Sequence, residues 1–255
     1  MPVTPSPPGR ISYCTTCKNR LWQLRDTLPD NLRRVTEDGN SEIVLVNYHS
    51  DDELDTWIRQ FQHHIDNGTL RYLHQRTQPH FHASKAKNLA HLAATGNHLI
   101  NLDADNYIGD TIPTWRTHWT AEPDLLIWGL SPNPDGRTDW GNGSYGRIGL
   151  PRARFDALGG YDERLLPMGC QDLDLMGRAK ARGMRVVRAP QQAPFAIRNP
   201  QADKVQHTGS PLSWYDMWQQ NIRRAEENLR SGRLTVNHDR MPTKVLLNFT
   251  QWVEV

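Results

Sequence analysis

Apolar positions in the first hundred residues follow two alternating rhythms. Ile11-Ser-Tyr-Cys14 and Leu70-Arg-Tyr-Leu73 are short runs of strand type. Between them, Glu42-Ile-Val-Leu-Val-Asn47 is continuously apolar inside its ends, which predicts a strand buried on both faces. The intervening segments change to helical spacing. Leu21, Leu24 and Leu28 share one face and predict a helix ending near Pro29. Ser50-Asp-Asp-Glu53 has the form of a capping box and predicts a helix through about His64, stopped at Asn67-Gly68. Ala83, Ala86, Leu89, Ala90 and Ala93 predict another helix with Gly96 as its stop, and the run from His98 to Asp103 predicts the next strand. Three strand–helix alternations therefore precede that strand, the pattern of a parallel sheet with right-handed crossovers.

The pattern loosens afterwards. A buried strand is expected over residues 124–130, then a long loop rich in Pro, Gly and Asn from Ser131 to Ser144. Residues 145–150 read as a strand, and Pro151 sits in the first turn of a helix that stops at Gly159-Gly160. A helix over 171–181, a strand over 184–188 and a long amphipathic helix from about Pro211 to Arg230 complete the reading, ahead of the apolar segment Lys244–Phe249. One compact α/β domain is expected over 11–255, with functional halves at 11–110 and 111–255, behind a disordered Pro-rich tail at 1–10.

Composition narrows the class. Among 255 residues, 37% are hydrophobic and 23% charged, ordinary for a globular enzyme. Nine Trp is high and points to aromatics lining a cleft. No apolar run approaches the ~18 residues that would span a bilayer, and the Pro-rich start lacks the basic and apolar regions of a signal peptide. Three cysteines cannot all pair, which fits a reducing, cytoplasmic setting, and Cys14-x-x-Cys17 has no second ligand pair for zinc. Net charge is +2, but residues 1–175 carry 17 basic against 22 acidic side chains, and 176–255 carry 13 against 6. The basic last third suits an anionic partner or a solvated helix face.

The chemistry centres on Leu102-Asp103-Ala-Asp105-Asn106. A strand ending in Asp-x-Asp projects two carboxylates beyond the sheet's carboxyl edge, where open α/β folds bind ligands. Such hard oxygen donors suit a divalent cation that leaves positions open for phosphate oxygens; an isolated Asp-x-Asp is more often a polar turn. Here it has company. Thr15-Thr-Cys-Lys-Asn-Arg20 follows the first strand, Asn47-Tyr-His-Ser-Asp-Asp52 the second, and Ser84-Lys-Ala-Lys87-Asn88 opens the helix before the acidic pair. Leu158-Gly-Gly-Tyr-Asp-Glu163 and Gly169-Cys-Gln171-Asp172-Leu-Asp174 come later.

Six blocks in this order resemble a glycosyltransferase of the GT-A fold, Rossmann-like, close to the family-2 group, with an acceptor motif of galactosyltransferase type. The resemblance covers roughly residues 11–210. It implies a metal-dependent, inverting transfer of a sugar from a nucleotide-diphosphate sugar, UDP-linked by preference, to a hydroxyl of a saccharide or glycoconjugate. A modified DNA base or a protein side chain is an alternative acceptor. Asp105 is then the metal ligand, with Mn²⁺ or Mg²⁺ as the cation, and Asp103 holds the ribose or a metal-bound water. Asp172 is the base that deprotonates the acceptor hydroxyl. Thr15, Arg20, Asn47 and Lys87 contact the nucleotide sugar, with Lys85 a weaker phosphate contact. Asn47 stands where the family usually has an Asp, and Gln171, on the acceptor side, where it usually has Glu. Trp140 and Asn142 offer an acceptor platform, and His207 a third metal ligand. Each has a plainer reading: Arg20 paired to a surface acid, Lys87 an exposed helix lysine, Trp140 pinning a loop. Asp174 reads as structural, a cap or ion pair.

Two other classes fit parts of the chain. A nucleotidyltransferase or a non-catalytic sugar-nucleotide binder would share the topology, but the first loop lacks the glycines of the former. A glycoside hydrolase would also pair carboxylates, without a metal.

Overall fold

The buried faces of successive segments explain why one sheet forms. In the computed structural model, which describes residues 9–130, 143–190, 196–197, 199 and 201–255, nine strands of the described chain make one sheet. Residues 1–8 of the expected tail and most of the Ser131–Ser144 loop lie outside those residues, while Arg10, expected in the tail, pairs with Glu42 at 3.2 Å. The first half runs β1 (Ile11–Cys17), α1 (Leu21–Asp38), β2 (Ser41–Tyr48), α2 (Leu54–Trp57), a 3₁₀ turn (Ile58–Phe61), α3 (Gln62–Asp66), β3 (Leu70–Gln75), α4 (Ala83–Ala93) and β4 (His98–Asn101). The second half runs α5 (Thr111–Ala121), β5 (Leu126–Trp128), β6 (Ile148–Pro151), α6 (Arg152–Leu158), α7 (Gln171–Ala181), β7 (Val186–Arg188), α8 (Gln201–Val205), α9 (Trp214–Arg230), β8 (Lys244–Leu247) and β9 (Gln251–Glu254).

Strand order is β7-β5-β6-β4-β1-β2-β3-β8-β9. The centre, β4-β1-β2-β3, is parallel, while β6 pairs antiparallel with β4 and β8 with β3. The apolar run of β2 is continuous because its residues divide between two cores. Ile43 and Leu45 join Leu24, Leu28 and Trp115 on one face; Val44 and Val46 join Ala86, Ala90 and Leu175 on the other. Register places Cys17 beside Asn47 and Cys14 beside Asn101, so the carboxyl ends of three central strands open onto one edge.

Three departures from the sequence pattern have physical causes. The first helix passes through Pro29 to Asp38, because Asn31, Leu32 and Val35 continue its buried face. Burying that extra surface outweighs the ~3 kcal/mol a helix-interior proline costs. Gly39, at φ 69°, then ends it, donating to the Val35 carbonyl at 3.1 Å. The capping box does not form: Ser50 Oγ accepts from the Asn19 N–H and Asp52 from the Leu21 N–H, both at 3.0 Å. Those side chains tie down the first loop, and the helix expected through His64 breaks into α2, the 3₁₀ turn and α3. Helix α5 was not anticipated, although Ile112, Trp115 and Trp119 mark its buried face.

In α7, Asp174 and Arg178 form an ion pair at 2.7 Å with both side chains fully buried. Arg178 also donates to the carbonyls of Leu158 and Gly160 at 2.9 and 2.8 Å, and Asn228 of α9 donates to Asp174 at 3.0 Å. Removing the cation alone leaves a buried, uncompensated carboxylate. Arg178→Met is therefore expected to lose about 3–5 kcal/mol of unfolding free energy. Urea denaturation of the two proteins measures it, and a loss under about 1 kcal/mol would contradict the pair's role.

Candidate active site

At the carboxyl edge of β1 and β4 the described residues enclose a cleft of about 230 Å³. Thr16, Lys18 and Arg20 enter it from the first loop, Lys87 from α4, Asp103 and Asp105 from beyond β4, and Gln171 and Asp172 from the start of α7. His207 and Trp214 close another side. The acidic groups are brought close. An ideal Cβ on Gly146 would sit 2.9 Å from Asp103 Oδ2, 3.2 Å from Asp172 Oδ2 and 3.4 Å from Lys87 Nζ. Any side chain at 146 would crowd the gap between the two carboxylates.

Lys87 is the counter-charge there. Its ammonium lies 2.8 Å from Asp172 Oδ1 and 3.9 Å from Asp103 Oδ1, and 5.2 Å from the centre of the Tyr161 ring. The side chain is only 8% exposed, which removes the plain reading of a solvent-facing helix lysine. Burial opposes its charge, yet Asp172 and Asp103 outweigh burial and raise its pKa. Asp172 is raised too: burial dominates, Lys87 opposes it and the Asp103 charge adds to it.

Asp105 is held at both oxygens. Oδ1 accepts from Asn106 Nδ2 at 2.6 Å, and Oδ2 accepts from the amide of Asn199. Burial and then the Asp103 charge push its pKa up to about 7. Behind the pair lies Arg147, buried and donating to Asn106 Oδ1. Burial pulls its pKa down to about 10, against the opposing pull of Asp103 and Asp105. Neither Arg147 nor Asn199 was singled out from sequence. Arg147 lies at the edge of the loop region, and nothing local marks it.

The turn before α7 explains how Asp172 reaches the cleft. Gly169 and Cys170 both have left-handed backbones, at φ 92° and 73°. Such a conformation is strained for Cys, and the chain accepts it where Gln171 and Asp172 must be presented. A Cβ on Gly169 would meet the Trp218 backbone and Cβ at 3.1 Å, so α9 packs directly against this turn. Asp172 and Asp174 lie in the first turn of α7, where the helix dipole favours anions.

The residues fit a hard divalent cation. Among the described residues no group of three His, Cys, Asp or Glu side chains gathers to hold a metal. What Asp105 and Asp103 offer is carboxylate oxygens at the cleft, a donor set that phosphate oxygens and water would complete. His207 lines the same cleft, and burial, then Lys18 and Arg20, lower its pKa, which keeps its imidazole neutral and able to ligate.

The remaining expected site residues divide between the cleft and its surroundings. Thr15 is 3% exposed within β1, and its neighbour Thr16 lines the cleft instead. Asn47 is buried and its amide is committed: Nδ2 donates to Asp55 and to Tyr72 OH, both at 2.9 Å, while Oδ1 accepts from the Ser50 N–H at 2.8 Å. It shapes the turn after β2 and does not line the cleft. Gln171 donates to the Leu166 carbonyl at 2.9 Å. Arg20 lines the cleft and donates to the Asp203 carbonyl and Asn199 Oδ1. Lys85 does not line the cleft. Trp140 and Asn142 lie outside the described residues.

Residues 12–166 match the family model of glycosyl transferase family 2. Among solved structures, S. aureus TarS 1-349 superposes over 90% of this chain and 76% of its own, with a TM-score of 0.60 at 14% identity. The same TarS fragment in complex with UDP-GlcNAc gives 0.62 at 15% identity, covering 82% of this chain and 64% of that one. The mannosyltransferase PcManGT from Pyrobaculum calidifontis, in complex with GDP-Man and Mn²⁺, gives 0.58 at 17% identity, with 89% and 72% covered. The chain spans 43% of the longer TarS structure. At these identities the likeness is one of fold. No curated protein matches in sequence.

The Asn47 cluster has a measurable consequence. Burial would raise the Asp55 pKa, but His74 at 2.7 Å, Tyr72 OH at 2.5 Å and Asn47 hold it down at about 2. A carboxylate depressed in the folded state adds stability that is present above its unfolded pKa and disappears as pH falls through the folded value. With Asp55 37% exposed, screening leaves about 1 kcal/mol. Asp55→Ala should therefore remove roughly 1 kcal/mol at pH 6 and flatten the acid-side stability slope between about pH 4 and 2. Chemical denaturation across that range checks it; an unchanged slope would refute the cluster's role.

Proposed function

The chain belongs to glycosyl transferase family 2 and is a glycosyltransferase, and on that premise we propose that it moves a sugar from a UDP-sugar to a saccharide hydroxyl with inversion, with Asp172 as base. The observation that carries the proposal is the cleft around Gly146, where Asp172 stands across from Asp103 with Lys87 between them. Direct displacement at the anomeric carbon needs a carboxylate on the acceptor side and charge compensation on the donor side, and this cleft holds both.

Lys87 fixes Asp172 through Oδ1, leaving Oδ2 towards the Gly146 gap to take the acceptor proton. A pKa raised by burial makes that carboxylate a stronger base than one in water. Asp105, with His207 beside the same cleft, would hold Mn²⁺ or Mg²⁺, which when bound supplies positive charge to the leaving diphosphate. Lys18 and Arg20 add fixed charge on the donor side, and Asp103 orients the donor. The UDP and UDP-GlcNAc complexes of TarS support a UDP donor. Residues 11–110 take the donor and 111–255 the acceptor in this reading, with the Trp214 ring at the cleft as a face for an acceptor sugar. No helix of the described residues is long and apolar enough to cross a membrane, and the three cysteines are free and buried. With these we propose a cytoplasmic setting.

A panel of UDP-sugars with Mn²⁺, read by UDP release with water as acceptor, tests the proposal. Asp105→Ala should lower metal-dependent turnover by about 100-fold or more. Asp172→Asn should bind UDP and Mn²⁺ within about threefold of the parent while losing about 100-fold in turnover. Full turnover in Asp172→Asn would remove the base assignment.

A further inference from the structure

Asp103 and Asp105 follow the same strand, yet the chain holds them differently. Asp103 is 37% exposed and is held at one oxygen, Oδ1, which accepts from Asn101 Nδ2 at 3.0 Å and lies 3.9 Å from Lys87. Asp105 receives an amide on each oxygen, Asn106 Nδ2 on Oδ1 at 2.6 Å and Asn199 Nδ2 on Oδ2. The torsion that turns a carboxylate about its own axis is soft, so a carboxylate held at one oxygen can still rock. Two amides on its two oxygens fix its plane.

Both amides are braced in turn. Asn106, 1% exposed, also donates to the Gly143 carbonyl at 3.1 Å, and its Oδ1 accepts from Arg147. Its own carbonyl accepts from Asn31 of α1 at 2.9 Å. Asn199 arrives from 94 positions further along the chain, and its Oδ1 accepts from Gln23 of α1 and from Arg20. Those two donors set the amide's orientation: turned over, its oxygen would face the Asp105 carboxylate and its NH₂ would face donors. The backbone carries Asn199 to this place. The Ile197 N–H donates to the Asp105 carbonyl at 2.8 Å, and Ala196 pairs with Asn106 as a single antiparallel bridge. The segment that delivers the amide is therefore bonded to the very residues it holds.

Such a clamp is compatible with a cation on the same acid. An ionised carboxylate has about four lone-pair sites, two on each oxygen, so one amide per oxygen leaves a site on each. Hydrogen bonds to a ligating carboxylate orient it, and losing such a partner costs about 10- to 100-fold in metal affinity.

On the reading that Asp105 ligates the metal, we propose that Asn199 is a positioning residue for the divalent cation. It holds the Asp105 carboxylate in the plane from which that group ligates, and Gln23, 1% exposed, holds Asn199. Arg20 shares in this bracing besides placing its charge on the donor side. Residues 196–199 thereby gain a part in loading the metal, although they lie far in sequence from the acidic pair.

Electron paramagnetic resonance tests this by counting free Mn²⁺ as it is titrated into the intact protein, alone and with UDP, against a UDP-only control. Asn199→Ala should weaken Mn²⁺ binding by about tenfold or more. Gln23→Leu, which keeps Asn199 but removes its brace, should weaken it by about threefold. Thermal unfolding certifies that each variant is folded. The Mn²⁺ still bound by Asn199→Ala should give a broader resonance than in the parent, the mark of a ligand no longer held in one plane. Parent affinity in both variants would overturn the clamp, as would tighter binding in Asn199→Ala, which would show the amide competing with the cation. Asp105→Ala in the same titration separates the two levels: parent affinity there removes the metal-ligand reading and the clamp with it. Loss of Mn²⁺ in Asp105→Ala with parent affinity in Asn199→Ala removes the clamp alone.

Discussion

Three carboxylates gathered at one sheet edge are the constraint that the rest of the molecule answers. Asp103 repels both Asp105 and Asp172, and its charge raises the pKa of each. The fold meets this with buried cations and amides. Lys87 arrives from α4 and Arg147 from the turn before β6, each nearly inaccessible to water. Neither cation would be tolerable at that depth without the acids, and the acids would protonate without the cations. Asp105 stands apart: it receives amide hydrogen bonds from Asn106 and Asn199 but no ion pair among the described residues, and its pKa climbs to about 7. An acid prepared in that way is suited to a cation brought in with the substrate.

Sequence blocks far apart in the chain travel together because they touch. Asn88, in the helix before the acidic pair, accepts from the Tyr161 N–H at 2.8 Å and donates to the Tyr161 carbonyl at 2.8 Å, across 73 positions. Gly160 must lack a side chain there, since a Cβ would lie 2.5 Å from Asn88 Oδ1. The Lys87-Asn88 dipeptide therefore does two jobs: the lysine serves the cleft, and the asparagine fixes the Gly-Gly-Tyr-Asp-Glu turn. Contacts of this kind constrain only a few positions.

The same distinction explains what the linear pattern revealed. Central strands were legible as short continuous apolar runs buried on both faces, and α4 by the helical spacing of its small apolar stripe, although it ends at Ala93, ahead of Gly96. Asp103, Asp105, Lys87, Asp172 and His207 do converge on one cleft. Asn47 stands at the carboxyl end of β2, a position that suits a base contact, whereas its amide is committed to Asp55 and Tyr72, eight and 25 residues away. The Ser50–Glu53 box failed similarly, its side chains being claimed by Asn19 and Leu21 of another segment. Arg147 left no local trace, since a single arginine beside a glycine-rich loop looks solvent-exposed until three-dimensional packing buries it.

Helix α4 shows how one short element can serve two separate spaces. With 3.6 residues per turn, Lys87 is displaced by about 200° from Lys85, so two lysines separated by one residue leave on nearly opposite sides. Lys87 goes inward and is neutralised by Asp172, while Lys85 lines a separate cavity together with Glu163 and Asp239. From sequence Lys87, and less strongly Lys85, read as phosphate contacts; only Lys87 lines the cleft. Their fates also differ energetically. A buried lysine must be paired, and Lys87 is; a half-buried lysine lining a framed cavity can remain unpaired at little cost because water reaches it. The outward lysine stays within reach of water, and the inward one is fixed at the cleft by Asp172.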